Sequence, residues 1–141
     1  MTQLEKVRTL LVDDEADFID TLAKRMKRRG LDTSTVNSGE DAIEFLARNP
    51  VDVVILDVKM PGMDGIQTLR EIRQRHPLTE VIMLTGHANV EVAIQGMEMG
   101  AFDYLMKPMA IDDLVYKIQD AHKKKSIQER KIGERVKAPS F

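Results

Sequence analysis

The sequence predicts an α/β domain in which a parallel sheet carries helices on both faces. Four apolar runs, Thr9 to Val12, Val53 to Leu56, Val81 to Leu84 and Tyr104 to Met106, are short and continuous, the pattern of strands buried on both sides. Each run is followed by helical spacing, and strands alternating with helices argue for parallel pairing through right-handed crossovers. Each run also ends in a residue suited to phosphate chemistry: Asp13 and Asp14, then Asp57, then Thr85, then Lys107 before Pro108. In an open parallel sheet the carboxyl ends of the strands converge on one crevice, where ligands bind.

After the first strand, Ile19, Leu22, Ala23 and Met26 mark one helix face, and Gly30 stands where a C-terminal glycine belongs. Thr33 to Val36 is β-prone but polar, which suits an edge strand. Ser38 with Asp41 reads as an N-cap, Ile43, Leu46 and Ala47 as the helix face, and Asn49-Pro50 as its end. Following Leu56, the loop Asp57 to Gly65 is dense in Gly and Pro; Asp64 and Gln67 can then cap a helix carrying Ile66, Leu69 and Ile72. Gly62, Gly65 and Gly86 are expected to permit close backbone approach or unusual dihedrals beside the crevice. Val90, Ala93, Ile94 and Met97 supply a fourth helical stripe closed by Gly100, and Ile111, Leu114, Val115 and Ile118 a fifth. Beyond Ala121 only Ile127, Ile132 and Val136 stand among charges, so the last helix is expected to run on and fray, with Pro139 to Phe141 disordered.

With 141 residues the chain suits one domain and can bury a core without staples. Cysteine is absent, which excludes disulfides, thiolate metal sites and a cysteine nucleophile. No apolar stretch approaches the roughly 18 residues of a membrane span, and no signal-peptide pattern opens the chain. A cytoplasmic location without membrane contact is the expectation. The net charge of −2 hides an asymmetry: the last twenty residues carry seven Lys or Arg and two Glu, leaving −7 on the remainder. Lys123 to Lys125 form only a short run beside Glu129, so a solvated helix end is expected rather than nucleic-acid binding.

Asp13, Asp14 and Asp57 would bring three carboxylates together, and like charges so close need a cation among them. Oxygen-only donors select a hard ion, best Mg2+ with Mn2+ as a substitute. Three carboxylates, one divalent ion and the ammonium of Lys107 sum to neutrality. A carboxylate can attack phosphorus and form an aspartyl phosphate when such cations are present. Asp57, alone at the end of the most apolar strand, suits the nucleophile, and the adjacent Asp13 and Asp14 suit the metal. Lys107 offers a point charge to a phosphate oxygen and the Thr85 hydroxyl a hydrogen bond.

These motifs, Leu11-Val12-Asp13-Asp14-Glu15, Leu56 to Gly65, Leu84-Thr85-Gly86 and Tyr104 to Pro108, resemble those of response regulator receiver domains over roughly Val7 to Ala121. The resemblance implies a flavodoxin-like (βα)5 fold with five parallel strands in the order 2-1-3-4-5. The receiver would span residues 5–121, and residues 122–141 would form a basic helical extension or tail. It further implies that Asp57 accepts a phosphoryl group from a histidine kinase or phosphotransfer protein. Asp14 would bind magnesium directly, Asp13 mainly through water, and Lys59 through its backbone carbonyl. Lys107-Pro108 would be a cis bond. Thr85 and Tyr104 would form the switch, and the side chains of Lys59 and His87 would flank the entrance and set the lifetime of the phosphorylated state. Output would be a population shift around the fourth helix and fifth strand, read by a downstream protein or by a second copy on phosphorylation.

Two rival functions share parts of this pattern. A phosphatase of the haloacid dehalogenase type wants an acid two residues after its nucleophile, where Lys59 stands. A flavodoxin-like cofactor module would place phosphate after the first strand, where Asp13, Asp14 and Glu15 repel it. The primary expectation is a stand-alone receiver that is no enzyme beyond its own phosphorylation and dephosphorylation. The alternative is the receiver portion of a longer regulator of the enhancer-binding type, which Thr85 to Asn89 and Ala101 to Tyr104 resemble.

Overall fold

The computed structural model describes residues 6–58, 64–86 and 89–137. Five strands alternate with five helices: β1 Arg8–Val12, α1 Ala16–Arg28, β2 Asp32–Val36, α2 Gly39–Arg48, β3 Val53–Leu56, α3 Gly65–Arg75, β4 Glu80–Thr85, α4 Val90–Glu98, β5 Asp103–Met106 and α5 Ile111–Lys137. All four pairings are parallel, in the order β2-β1-β3-β4-β5. The polar strand β2 is an edge, as its Thr and Ser content predicts. The three central strands are buried almost throughout.

Side chains alternate along each strand, so one sequence feeds two cores. Leu11, Ile55, Ile82 and Leu84 face α1 and α5, where Ile19, Met26, Leu114 and Ile118 cover them. Leu10, Val54, Leu56, Val81 and Met83 face the other way, toward Ala42 and Leu46 of α2 and Leu69 and Ile72 of α3. The predicted punctuation is in place. Ser38 accepts from the Asp41 amide at 3.1 Å, Asp64 and Gln67 form a capping box, and Gly30 and Gly100 take φ of +87° and +100°. Gly65 and Gly86 do not have positive φ; Gly65 instead serves close backbone approach.

Two features depart from the sequence reading. The stripe of α4 does not face the core: Val90, Ile94 and Met97 are 74%, 54% and 45% exposed, and the one buried residue of the helix is Gly96. A buried aliphatic side chain contributes about 1.5–3 kcal/mol, so α4 lacks the anchors that hold its neighbours. Its backbone lies so close to β4 that a Cβ on Gly96 would stand 2.0 Å from the Met83 methyl. The second departure concerns Lys123 to Lys125, expected as a solvated helix end. Helix α5 is continuous through them, and Lys125 is buried against the opposite end of the sheet from the acidic residues.

Candidate functional site

Parallel register brings the strand ends together. Val12 pairs with Leu56, Leu56 with Met83, and Thr85 with Met106, so the residues that follow share one edge. Backbone bonds extend that alignment past the strands: the Asp57 amide donates to the Val12 carbonyl at 2.9 Å, and the Lys107 amide to the Thr85 carbonyl at 2.8 Å. The Lys107-Pro108 bond is cis, which turns the chain immediately after the lysine.

One carboxylate oxygen from each of Asp13, Asp14 and Asp57 lies within 4.8 Å of the others. Asp13 and Asp57 are buried and Asp14 is exposed, so the cluster is walled by protein on one side and open on the other. Lys107 reaches in from β5, with Nζ at 2.7 Å from Asp13, 3.5 Å from Asp57 and 3.7 Å from Glu15. Burial works against the lysine's charge, but its hydrogen bond with Asp13 and the negative charges of Asp57, Asp13 and Glu15 outweigh that and raise its pKa. Its ammonium also lies 4.1 Å from the centroid of the Phe18 ring on α1.

An all-oxygen set with one exposed side fits a hard divalent ion, which binds through few carboxylates and keeps water and phosphate in its remaining positions. The cluster can therefore hold such a cation. Thr85 is fully buried at the end of β4, and Tyr104 is half-buried on the face that α4 overlies. Thus Asp13, Asp14, Asp57 and Lys107 come together, with Thr85 at the same sheet edge. Lys59 and His87 lie outside the described residues, as does Gly62.

Three contributors were not among the site residues expected from the sequence. Glu15 donates its amide to Asp13 at 2.9 Å and adds a charge near Lys107. Asn37 donates to the Asp13 carbonyl at 3.4 Å. Phe18 supplies the ring beneath the ammonium, and nothing in its spacing separates it from other apolar residues of α1.

The fold and the site together define a class: a doubly wound α/β domain with an acidic cluster and a lysine ammonium at the carboxyl edge of its sheet. The sequence matches the response regulator receiver domain family over residues 9–119, and the chain belongs to that family, which serves two-component signalling. It is 39% identical over 111 residues to the DNA-binding transcriptional regulator NtrC of Escherichia coli K12, covering 79% of this chain and 24% of that protein. A receiver domain from Clostridium thermocellum superposes with TM-score 0.82 at 35% identity, covering 86% of this chain and 98% of that one. NtrX from Brucella abortus superposes with TM-score 0.85 at 28% identity, covering 97% of this chain and 31% of that one. The chain thus spans about a quarter of the length of the curated relatives it matches.

Proposed function

We propose that Asp57 is the phosphoacceptor of a two-component relay and that the domain reports its phosphorylation by protein contact. The observation carrying this reading is a buried carboxylate at the end of β3, inside a three-acid cluster and 3.5 Å from a lysine ammonium. An Asp57 oxygen attacks the phosphorus of a phosphohistidine on the kinase or phosphotransfer partner. The P–N bond breaks, and the imidazole nitrogen keeps the bonding electron pair. Asp13, Asp14 and Asp57, with the Lys59 carbonyl as the family resemblance implies, would hold Mg2+, which would supply charge neutralisation at the moving oxygens. Lys107 transfers part of its attention from Asp13 to a phosphoryl oxygen, and the Thr85 hydroxyl donates to another.

Thr85 turning toward the phosphoryl group frees space into which the Tyr104 ring moves, coupling the site to β5 and α4. The solvent-facing Val90, Ile94 and Met97, spaced to lie on one side of α4, supply the apolar surface that such a signal would offer or withdraw. A downstream protein, or a second copy on phosphorylation, is the reader. Lys59 and His87 act on water access and hence on lifetime. The setting is the cytoplasm; no described helix is long and apolar enough to cross a membrane.

Acetyl phosphate with Mg2+ labels the wild type and not Asp57→Ala, and the label decays at a different rate in Lys59→Asn, His87→Ala. Equal labelling of Asp57→Ala would sink the acceptor assignment, and an unchanged decay rate the lifetime roles. As to context, the similarity to regulators four times its length favours the receiver portion of a longer regulator over a stand-alone receiver. The length of the natural reading frame decides between them.

A further inference from the structure

At the end of the sheet opposite the phosphoacceptor, two more carboxylates are buried, and neither belongs to the site described above. Asp52 immediately precedes β3 and Glu80 opens β4; they are 3% and 0% exposed, and Glu80 pairs in register with Val53. Consecutive lysines of α5 reach them. Lys125 Nζ stands 3.0 Å from Asp52, and Lys124 Nζ 3.2 Å from Glu80. We infer that this pair of contacts is a clamp that makes the continuation of α5 a rigid arm of the domain and ties the arm's direction to the α4–β5 turn.

The two prongs differ in what the acid has without its lysine. Asp52 also accepts three bonds from Arg8, from the amide at 2.9 Å, Nε at 3.1 Å and Nη2 at 2.9 Å. Glu80 has ion pairs but no hydrogen bond to either oxygen among the described residues; its second partner is Arg73 at 3.5 Å. A buried carboxylate so placed depends on its cations, since an uncompensated buried charge is costly. Lys124 is therefore a requirement of Glu80 rather than an ornament of the surface.

Glu80 is also where the α4–β5 side of the domain meets the arm. Arg73 donates to the Thr79 carbonyl at 2.8 Å and lies 3.1 Å from where a Cβ on Gly100 would stand, at the end of α4. Lys124 sits 5.9 Å from the centroid of Phe102, the residue before β5. A displacement of the α4–β5 turn consequently reaches the arm through Glu80, beside the direct contacts of Phe102 with Lys124 and of Asp103 with Lys117 at 2.8 Å. Past Lys125 the helix continues to Lys137, about 18 Å at 1.5 Å per residue, with Lys125 and Glu129 bonded at 3.1 Å along it. Twelve residues alone make a marginal helix in water, so the clamp supplies the anchored end from which it extends.

The sequence has no cysteine, so Lys24→Cys on α1 and Lys131→Cys on the arm give two unique spin-label positions on the full chain. Pulsed-dipolar distances are expected to be narrow in the parent and about twofold broader in Lys124→Gln, Lys125→Gln, as local opening frees the arm. Glu80→Gln removes a buried charge and keeps the fold, and it broadens the distribution as well. Unchanged widths in both variants would overturn the clamp. The coupling to the α4–β5 turn rests on the phosphoacceptor reading. Beryllium fluoride with Mg2+ is expected to shift the mean distance in the parent and to shift it less in Glu80→Gln, with bound fluoride observed by 19F resonance. A shift of equal size in Glu80→Gln would overturn the coupling, whereas absence of any bound fluoride would overturn the phosphoacceptor reading and leave the widths to judge the clamp.

Discussion

Replacing Gly65 with alanine tests how tightly the start of α3 braces Asp57, the proposed phosphoacceptor. A Cβ there would stand 2.2 Å from Val58 Cα, 2.8 Å from the Asp57 carbonyl oxygen and 2.9 Å from the Val58 carbonyl carbon. Carbon atoms settle at about 3.5–4.0 Å, so the two backbones must part by about 1.5 Å. Neither side yields cheaply. The Gly65 amide donates to the Val58 carbonyl at 3.1 Å, and the Asp64–Gln67 capping box holds the helix start. Overpacking costs about 1–3 kcal/mol, and a clash of backbone with backbone belongs at the upper end. The displaced segment includes Asp57, and misplacing a reacting group by about 1 Å costs on the order of 100-fold in rate. Urea unfolding and the initial rate of labelling by acetyl phosphate with Mg2+ read the two effects. Gly86→Ala is the control: the nearest atom to its Cβ is Lys107 Cδ at 3.9 Å, and its stability should stay within about 0.5 kcal/mol of wild type. Gly65→Ala matching that control in both assays would refute the reasoning.

Mg2+ is expected to raise the thermal midpoint of the wild type, with chelation reversing the rise and Asp14→Asn weakening the ion's affinity at least about tenfold, because the most accessible of the three oxygen donors is lost; calorimetric titration reads the affinity, and an affinity equal to wild type would remove Asp14 as a ligand. Burial favours the neutral form of Asp52, but the hydrogen bonds from the Arg8 side chain and amide and the Lys125 contacts outweigh it and hold its pKa well below the usual carboxylate range. Its stabilisation is thus complete above the unfolded value near pH 4 and lost as pH falls toward the folded one. The stability difference between wild type and Asp52→Asn, from urea unfolding, should be about 3–5 kcal/mol and flat from pH 5 to 8, then shrink in more acid solution; a gap that widens with acid would contradict the sign.

The parts of the molecule that were legible in the sequence are those in which a local pattern has one physical meaning. Val53 to Leu56 and Val81 to Leu84 are too continuously apolar for a half-exposed strand, so centrality, parallel pairing and the convergence of Asp13, Asp57, Thr85 and Lys107 follow together. Helix α4 escaped that logic. The spacing of Val90, Ile94 and Met97 states that one side is apolar, but periodicity does not say what covers it, and here the glycine side meets the sheet. Lys124 and Lys125 were illegible for a different reason. A lysine run is normally solvated, and only the tertiary arrangement brings Asp52 and Glu80, distant in sequence, under the helix.

Strand β3 has a buried carboxylate at each end, Asp52 before Val53 and Asp57 after Leu56. Five residues at about 3.3 Å each separate them by about 17 Å, at which a unit charge contributes only about 1 kcal/mol even at an effective dielectric of 20, before salt screens it further. A near-complete population shift takes about 5.5 kcal/mol. An added charge at Asp57 therefore cannot reset the far carboxylates by its field. Whatever passes between the two ends of this strand travels as displacement of packed atoms, and the stiff, fully buried strand between them is the fixed frame against which that displacement is made.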